Sequence, residues 1–509
     1  MPQKPGCKRT GPHKQACIRM KEEMSQVTVT EPASAAAARP LCVDLDGTLV
    51  KSDTLVDTLL LLVRRHPLAA FRIPSWILRG KAALKREAAS MVSLDAAHLP
   101  YNRPLIAYLK EQKDAGRRVF LATGADSRIA ESVSRHLGLF DGVLASDGKT
   151  NLTGSSKLEE LRSRFGSGGY DYIGNASVDI PLLSHAGSAM IANPEPGLAR
   201  RLQNKGISVQ REFYDRGGAL RTFFRAIRIH QWAKNVLILV PFLLAHKLNV
   251  TQALSAAEAF LCFSLCASAT YIVNDMLDIE ADRRHPRKRL RPFAAGDIPA
   301  WTGVVAGSTF LLCALVGAYF LLPLEFLLWL LLYIAATLAY SLHLKRVALV
   351  DVILLSCLYT IRVLAGGAAT HVPISHWLSA FSIFLFLSLA MVKRFSELKN
   401  ALERGTTFAH GRGYLSVDIE QLRSFGTASA YAAVVIFSMY ISGRDVTILY
   451  QHPGRLWLAA PFMLLWVSRV WLLASRGELD EDPIIFAVTD RMSLLIGVVV
   501  ALTAVLAAV

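Results

Sequence analysis

Three carboxylates and one amide lie close together where a long apolar run ends near residue 276. Asn274, Asp278 and Asp282 occur at every fourth position, and Asp275 lies three residues before Asp278. In a helix this spacing places the side chains along one face. Such a face repels itself unless cations bind to it, and Mg²⁺ binds one or two carboxylates together with phosphate oxygens of a substrate. The pattern predicts that the three aspartates, with Asn274, hold a magnesium-bound diphosphate.

The basic residues that follow these acids suit the same ligand. Among them, Arg284, Lys288 and Arg291 are expected to neutralise the remaining phosphate charge. Membrane topology alone explains basic residues beside a span, so an ordinary charged loop is the alternative. That alternative does not explain acids at helical spacing, because charge beside a membrane core is costly and usually functional. The acids therefore favour a functional site.

A second group of polar residues follows an apolar run, LCVDLDGTLV, at residues 41–50. Further polar residues come downstream at the ends of predicted strands, VFLAT and YDYIG, and in the segment GSSKLEEL. The motif DxDGT by itself is compatible with a chance turn, but the ordered set is more specific. In chain order the set is Asp44, Asp46, Thr123, Lys157, Asn175 and Asp179.

This order resembles the haloacid dehalogenase (HAD) phosphatase superfamily. The resemblance implies a Rossmann-like α/β domain in which Asp44 attacks phosphorus and Asp46 is the acid/base. It also implies that Thr123 and Lys157 contact phosphate, and that Mg²⁺ is held by Asp44, Asp46, Asn175 and Asp179. The family's last motif normally reads GDxxxD, whereas Asn175 keeps an oxygen ligand but loses a charge. A working phosphatase and a regulatory or vestigial domain both remain open.

The elements that must position these residues divide the chain in two. Of the 509 residues 52% are hydrophobic, and the apolar character is concentrated after residue 230. The net charge of +16 is explained by membrane topology rather than by nucleic acid, and the seven scattered cysteines indicate no disulfide framework. We predict a disordered basic tail at 1–39, a HAD-like domain at 40–212 with a small helical cap at about 53–100, a linker at 213–224, and an all-α transmembrane domain at 225–509.

Apolar runs of spanning length predict nine transmembrane helices. They lie near 235–248, 257–276, 301–322, 324–343, 347–368, 377–394, 425–442, 455–474 and 484–508. Lys and Arg are concentrated after the second, fourth and sixth runs, so these loops are expected to face the cytoplasm. The pattern predicts a multi-pass protein of the inner (cytoplasmic) membrane with its N-terminal domain in the cytoplasm.

The acidic motif and the helix count resemble the UbiA superfamily of membrane prenyltransferases, whose first motif reads NDxxDxxxD, as at 274–282. The resemblance covers roughly residues 223–509. Aromatic prenyltransferases of this superfamily usually carry a second motif, DxxxD, but the matching region has only Asp351, with Val347 and Leu355 four residues away. This departure favours the decaprenyl-phosphate phosphoribosyltransferase branch, which transfers ribose 5-phosphate from phosphoribosyl diphosphate to a polyprenyl phosphate.

Other segments match that branch: RIHQWAKN at 228–235, HPxKxxRPxAxG at 285–296, RVLAGG at 362–367 and KRFSEL at 393–398. The further basic residues expected to bind substrate are Arg228, Lys234, Lys345, Arg362 and Lys393. For Lys234, beside Trp232, a plain membrane-interface anchor is the alternative. Asp351 and Arg362 are eleven residues apart on one helical face, so the anionic partner of Arg362 is expected to be Asp351 or substrate.

The resemblance implies a mechanism with little proton transfer, in which Asp278, Asp282 and Asp351 are the carboxylates at the reacting centre. The HAD domain would then remove the 5-phosphate from the lipid-linked product. An aromatic polyprenyltransferase of quinone or haem biosynthesis with a regulatory HAD domain is the main alternative, and a non-enzymatic membrane scaffold is another. The polyprenyl length and the oligomeric state, a homo-oligomer included, stay open.

Overall fold

The computed structural model describes residues 39–245, 249–403, 413–443, 446, 450–479 and 483–508. Their contacts divide the chain into two compact units. The first, here the sheet unit, holds the chain up to Leu49 and Asn102–Tyr214, and the second, the membrane unit, holds Val50–Tyr101 and Asp215–Val509. The predicted tail at 1–39 lies outside the described residues except for Arg39.

The sheet unit is built on parallel strands in the order β3-β2-β1-β4-β5-β6. The strands are β1 Leu41–Val43, β2 Val119–Asp126, β3 Gly142–Ser146, β4 Asp171–Gly174, β5 Ala189–Ala192 and β6 Val209–Phe213. The central strands β1, β2 and β4 are buried along their whole length, which is typical of a parallel sheet covered on both faces. The strand order reverses between β1 and β4, and ligands bind at the carboxyl ends of such a pair. The predicted Rossmann-like α/β fold is confirmed.

The helices of residues 50–214 are α1 Thr54–Arg65, α2 Ile73–Leu78, α3 Lys81–Met91, α4 Arg103–Asp114, α5 Ser127–Leu137, α6 Ser155–Phe165, α7 Ile180–His185 and α8 Leu198–Asn204. The first three belong to the segment Val50–Tyr101, which we call the insert. An antiparallel bridge between Val50 and Tyr101 joins its two ends. Helix α1 begins where the Asp53 carboxylate accepts hydrogen bonds from two backbone amides, and it ends with Arg64 and Arg65, which suit the helix dipole.

The contacts of the insert place it in the membrane unit. Residues 53–100 were predicted to form a cap of the HAD-like domain, and that role stays a prediction. Leu61, Leu62, Trp76 and Leu84 form the insert's own apolar cluster. Leu60 of α1 packs against a cluster of the membrane helices.

The membrane unit is all-helical in its described residues, as predicted. Its helices are α9 Ala219–Ala226, a 3₁₀ helix Ile229–Leu239, α10 Val240–Leu244, α11 Val250–Leu277, α12 Ile279–Arg284, α13 Ala300–Leu321, α14 Leu324–Leu342, α15 Val350–Thr370, α16 His376–Glu403, α17 Ile419–Ile441, α18 Ala459–Arg476, α19 Pro483–Thr489 and α20 Arg491–Ala508. Among the described residues, eight helices are long and apolar enough to cross a membrane.

The first of the nine predicted spans, at 235–248, falls on a shorter apolar segment, Ile229–Leu244. The last three residues of that predicted span lie outside the described part of the chain. Much of this segment is the 3₁₀ helix, and it packs directly on α15 at the RVLAGG motif. A side chain at Gly366 would collide with the backbone carbonyl of Ile238, so glycine is required for this close approach. Most of α11 and α15 is buried, whereas α13 and α14 expose large apolar side chains, as lipid-facing helices do.

Candidate active sites

In the sheet unit, four polar side chains meet where β1 and β4 end. The ammonium of Lys157 donates a hydrogen bond to Asp44 Oδ1 at 2.8 Å and another to the Tyr172 hydroxyl at 3.1 Å. The same Nζ lies 4.0 Å from Asp179 Oδ1, which accepts a hydrogen bond from Tyr172 at 3.2 Å. All four side chains are buried. The structure therefore brings together three of the residues that the sequence singled out.

The charges of this cluster are set by burial and by mutual pairing. Burial raises the pKa of Asp44 to about 6, and Lys157 opposes this increase. Burial would lower the pKa of Lys157, but Asp44 and Asp179 outweigh it and raise that pKa. Lys157 therefore stays charged, and Asp44 ionises near neutral pH. A buried carboxylate beside a fixed cation is suited to act as a nucleophile.

Asn175, which replaces the family's aspartate, packs on the first motif. The Thr48 hydroxyl donates a hydrogen bond to Asn175 Oδ1 at 3.2 Å. Gly47 has φ +75°, and a Cβ there would collide with the Asn175 side chain, so this turn requires glycine. Asp179 Oδ2 accepts hydrogen bonds from the backbone amides of Asn175 and Ala176 at 3.2 and 3.1 Å. Asp179 thus holds the loop that carries Asn175.

The remaining predicted residues of this site lie on the same two loops and on the neighbouring strand. Asp46 is half-buried between Asp44 and Gly47. Thr123 is fully buried in β2, its hydroxyl oxygen accepting from the Ala125 amide at 3.0 Å, and β2 runs three residues beyond the predicted end. Sequence reasoning missed Tyr172, although a hydroxyl within a short buried strand is an available signal.

The donor set of the sheet unit fits a magnesium ion. Asp44, Asp46, Asn175 and Asp179 offer oxygen ligands only, which Mg²⁺ prefers. Across the described residues, no three His, Cys, Asp or Glu side chains gather closely enough to be a metal cluster by themselves. The ion's remaining ligands would be water and substrate phosphate, as is usual for Mg²⁺.

In the membrane unit, a cavity of about 360 Å³ collects most of the predicted substrate-binding residues. Its lining includes Tyr271, Tyr333, Tyr340 and Tyr359. The predicted residues that line it are Arg228, Lys234, Asn274, Lys288, Arg291, Arg362 and Lys393. This volume is in the range of small-ligand sites, and the basic lining suits an anionic ligand.

Two of the motif aspartates are joined by one arginine. Arg291 Nη1 lies 2.7 Å from Asp282 Oδ2 and 3.1 Å from Asp275 Oδ1. Asp275 also accepts a hydrogen bond from Arg228, whose backbone is left-handed at φ +52°. The sequence grouped all three aspartates with Asn274, and the structure joins Asp282 to Asp275 through Arg291. Burial raises the pKa of Asp282, while Arg291 opposes the increase.

Asp278 lies at the junction of α11 and α12, with φ −93° and ψ 4°. Its Oδ1 accepts a hydrogen bond from Arg64 of the insert, and Oδ2 accepts one from Lys345 at 3.2 Å. Arg64 Nη1 also donates to the Leu277 carbonyl at 3.1 Å. Sequence reasoning missed Arg64, because it lies 214 residues away from Asp278 and carries no motif.

Not every basic residue of the loop faces the cavity. Arg283 is buried and donates to Asp57 Oδ2 at 2.8 Å and to the Ser52 hydroxyl at 3.0 Å, both in the insert. Arg284, which was predicted to bind substrate, lies on this side as well. It pairs with Glu280 at 2.8 Å and with Asp95 at 3.1 Å. These arginines fasten the insert to the loop.

Asp351 is fully buried and is not paired with Arg362. It accepts a hydrogen bond from Arg394 Nε at 2.6 Å and another from the Tyr414 hydroxyl. The prediction that left Asp351 as one partner of Arg362 is therefore wrong, because Asp351 points toward α16 and Arg394. The signal for Arg394 was available, since it follows Lys393 in an otherwise apolar helix.

Arg362 is held by neutral groups. Its Nε donates to Asn235 Oδ1 at 2.9 Å, and Nη2 lies 3.2 Å from the Tyr333 hydroxyl. The guanidinium lies 5.3 Å from the Phe263 ring and 4.9 Å from the Tyr333 ring. Its charge is thus stabilised by aromatic rings and amide oxygen on the wall of the cavity.

The membrane site also fits magnesium bound together with a diphosphate. Asp275, Asp278, Asp282 and the Asn274 amide are hard oxygen donors, and the arginines and lysines between them suit phosphate oxygens. The acids and the cations neutralise each other in the present arrangement, which is consistent with a site that exchanges these pairs for a metal and its anion.

Fold and sites together define a membrane transferase joined to a hydrolase domain. The chain belongs to the UbiA prenyltransferase family, whose model matches residues 236–506. Its N-terminal part is HAD-like, since the haloacid dehalogenase-like hydrolase model matches residues 41–184.

Known proteins are similar to this chain over different extents. The uncharacterized protein y4nM of Sinorhizobium fredii is 37% identical over 95% of this chain and 93% of its own. The decaprenyl-phosphate phosphoribosyltransferase of Mycobacterium tuberculosis is 38% identical over 53% of this chain and 88% of its own. The solved structure of a UbiA homolog from Archaeoglobus fulgidus bound to GPP and Mg²⁺ covers 56% of this chain and 97% of its own, with 14% identity and a TM-score of 0.43.

Proposed function

We propose that the membrane unit transfers ribose 5-phosphate from phosphoribosyl diphosphate to a polyprenyl phosphate at the cytoplasmic face of the inner membrane. The observation that carries this proposal is the basic cavity beside one aspartate motif. The donor brings a diphosphate and a 5-phosphate, and the acceptor brings a third phosphate group. A lining with Arg228, Lys234, Arg291, Arg362 and Lys393 supplies cations for more than one phosphate group.

The state of Asp351 supports phosphoribosyl transfer over aromatic prenylation. A second metal cluster would need carboxylates open to substrate, but Asp351 is buried and bound by Arg394 and Tyr414. It serves to hold α15 and α16 together. The similarity to a protein named decaprenyl-phosphate phosphoribosyltransferase supports the same choice.

The reaction forms a bond between an ionised oxygen of the lipid phosphate and the anomeric carbon, and it breaks the bond from that carbon to diphosphate. No proton needs to move, so positioning and charge stabilisation supply the rate. Asp275, Asp278 and Asp282 would hold Mg²⁺, which neutralises the departing diphosphate. Arg291 and Lys288 would bind the diphosphate, and Lys234 or Arg362 the acceptor phosphate. Carboxylates near the anomeric carbon would stabilise its oxocarbenium character.

The sheet unit is proposed to be a phosphatase that removes the 5-phosphate of the lipid-linked product. Asp44 would attack phosphorus, with Lys157 charged beside it and Thr123 on the adjacent strand, and Asp46 would protonate the leaving oxygen. The S. fredii relative aligns over 95% of this chain, so the two halves are joined in that protein too. A shared chain keeps the product of one site at a high effective concentration near the other.

A single assay tests both activities. Purified full-length chain receives labelled phosphoribosyl diphosphate and decaprenyl phosphate, and mass spectrometry identifies the lipids formed. Wild type should give lipid-linked ribose and inorganic phosphate. Asp44→Asn should accumulate lipid-linked ribose phosphate. Asp278→Asn should form neither of the two ribosyl lipids. In a parallel tube, a prenyl diphosphate and an aromatic acid replace the substrates. Prenylation there, without any ribosyl lipid, would overturn the proposal.

A further inference from the structure

The insert contributes a side chain to the transferase motif. We infer that Arg64 is a positioning residue of the transferase, which holds Asp278 until a divalent cation and a diphosphate displace it. This inference rests on the proposed function, because it takes Asp278 as a ligand of the cation.

Two cations contact the carboxylate of Asp278, one on each oxygen. Arg64 donates to Asp278 Oδ1 and Lys345 lies 3.2 Å from Oδ2. A carboxylate oxygen that ligates Mg²⁺ at about 2.0–2.1 Å leaves no room for a guanidinium in the same direction. The metal and Arg64 are also both cations, so they repel each other across a short distance. Binding of the ion by Asp278 therefore requires Arg64 or Lys345 to move.

Arg64 is the side chain placed to move. It lies at the last turn of α1, and about a quarter of its side chain is exposed, more than that of Lys345. Arg64 is therefore the cation that leaves Asp278 when the ion binds.

The rest of the insert is fastened elsewhere and does not need to leave. Asp57, one to two turns earlier in α1, pairs with buried Arg283, and Lys51 lies 3.0 Å from Asp297. Arg65 makes two hydrogen bonds with Glu280, at 2.7 and 2.9 Å. These pairs hold α1 and its flanking residues on the segment that follows the aspartate motif. Among the pairs named here, only that of Arg64 involves a motif aspartate.

The test compares four full-length chains in detergent: wild type, Arg64→Ala, Arg65→Ala and Asp278→Asn. Arg65→Ala is a matched control, because it removes the same charge from the next residue. Arg65 pairs with Glu280 rather than with Asp278. Binding of Mn²⁺ in the presence of inorganic diphosphate is measured by electron paramagnetic resonance. The hydrolase site is unchanged in all four chains. The Mn²⁺-binding step that is absent in Asp278→Asn therefore belongs to the transferase.

Arg64→Ala should bind Mn²⁺ at that step roughly twofold to fivefold more tightly than wild type, the range expected for loss of a partly exposed competing pair. A fifth chain, Arg64→Lys, should bind with an affinity between those of wild type and Arg64→Ala, and Arg65→Ala should match wild type. In hydrogen exchange, the end of α1 in wild type should lose protection when Mn²⁺ and diphosphate are added.

The failures are distinguishable. If Arg64→Ala binds as wild type does, or more weakly, while Asp278→Asn loses the step, the inference about Arg64 is overturned and the metal site stands. If Asp278→Asn retains every binding step, Asp278 is not a ligand and the proposed metal site itself is overturned. Thermal unfolding of each chain establishes that the comparison is made on folded protein.

Discussion

In the sheet unit one cation, Lys157, pairs with both Asp44 and Asp179. In the described residues of the membrane unit, the motif aspartates form ion pairs with four cations: Arg64, Arg228, Arg291 and Lys345. The first cluster joins the ends of two neighbouring strands to helix α6, and its acids and lysine are buried. The second joins the end of a span to basic residues within 67 positions and to Arg64, which is 214 residues away from Asp278. The comparison indicates that motifs in chain order mark the first site, while the second also contains a partner that no motif marks.

The largest effect expected is the loss of the nucleophile. Asp44→Asn keeps the shape of the side chain but cannot form an aspartyl-phosphate, so phosphate release should fall on the order of a thousandfold or more. Transfer by the membrane unit should stay within about twofold. Phosphate release and lipid product, quantified in the same sample, check both halves. If both activities fall together, the two sites do not act independently.

The next effect concerns the shared arginine. Arg291→Ala removes the bridge between Asp275 and Asp282 and leaves two buried carboxylates short of a partner, which should lower the free energy of unfolding by about 1–3 kcal/mol. Transfer should fall roughly tenfold to a hundredfold, because the proposed contact with the diphosphate is lost as well. Arg289→Ala, at an exposed position of the same loop, is the control. Equal losses in the two variants would mean that only the loop's net charge matters.

The pH dependence should separate the sites. Because burial raises the pKa of Asp44 to about 6, its carboxylate is protonated below that pH, and phosphatase activity should fall about tenfold per pH unit below 6. The raised pKa also means that this group favours the folded state at low pH, and the contribution is lost as pH rises through about 6. The proposed transfer reaction needs no proton, so its rate should change less over the same range below pH 6. Rates measured at fixed Mg²⁺ test this, and parallel profiles would contradict it.

The smallest effect expected comes from restoring the family's acid. Asn175→Asp adds a carboxylate beside Asp44 and Asp179, so the Mg²⁺ concentration needed for half-maximal phosphatase activity should fall roughly threefold to tenfold. Asn204→Asp, at an exposed helix end, makes the same charge change away from the site. An unchanged Mg²⁺ requirement would show that Asn175 already serves as well as the acid, or that it does not face the ion.

The parts of this molecule that local sequence determines were predictable. Asp44 and Asn175 follow buried strands, and the parallel order of those strands places their ends together. The spans of α11 and α15 followed from hydropathy. Arg64 carries no local signal of its partner, since that pair is set by tertiary packing. The grouping of the insert with the membrane unit could not be predicted either, because an apolar helix face shows that α1 is covered but not by which part of the chain.

The chain passes between the two units three times, at residues 49–50, 101–102 and 214–215. A truncation that begins near residue 225 would therefore remove more than the hydrolase. It would strip Asp57 from buried Arg283 and Arg64 from Asp278, and it would uncover the apolar surface on which Leu60 packs. A transferase fragment for biochemical work is better made by keeping residues 50–101 and joining them to residue 215 through a short linker.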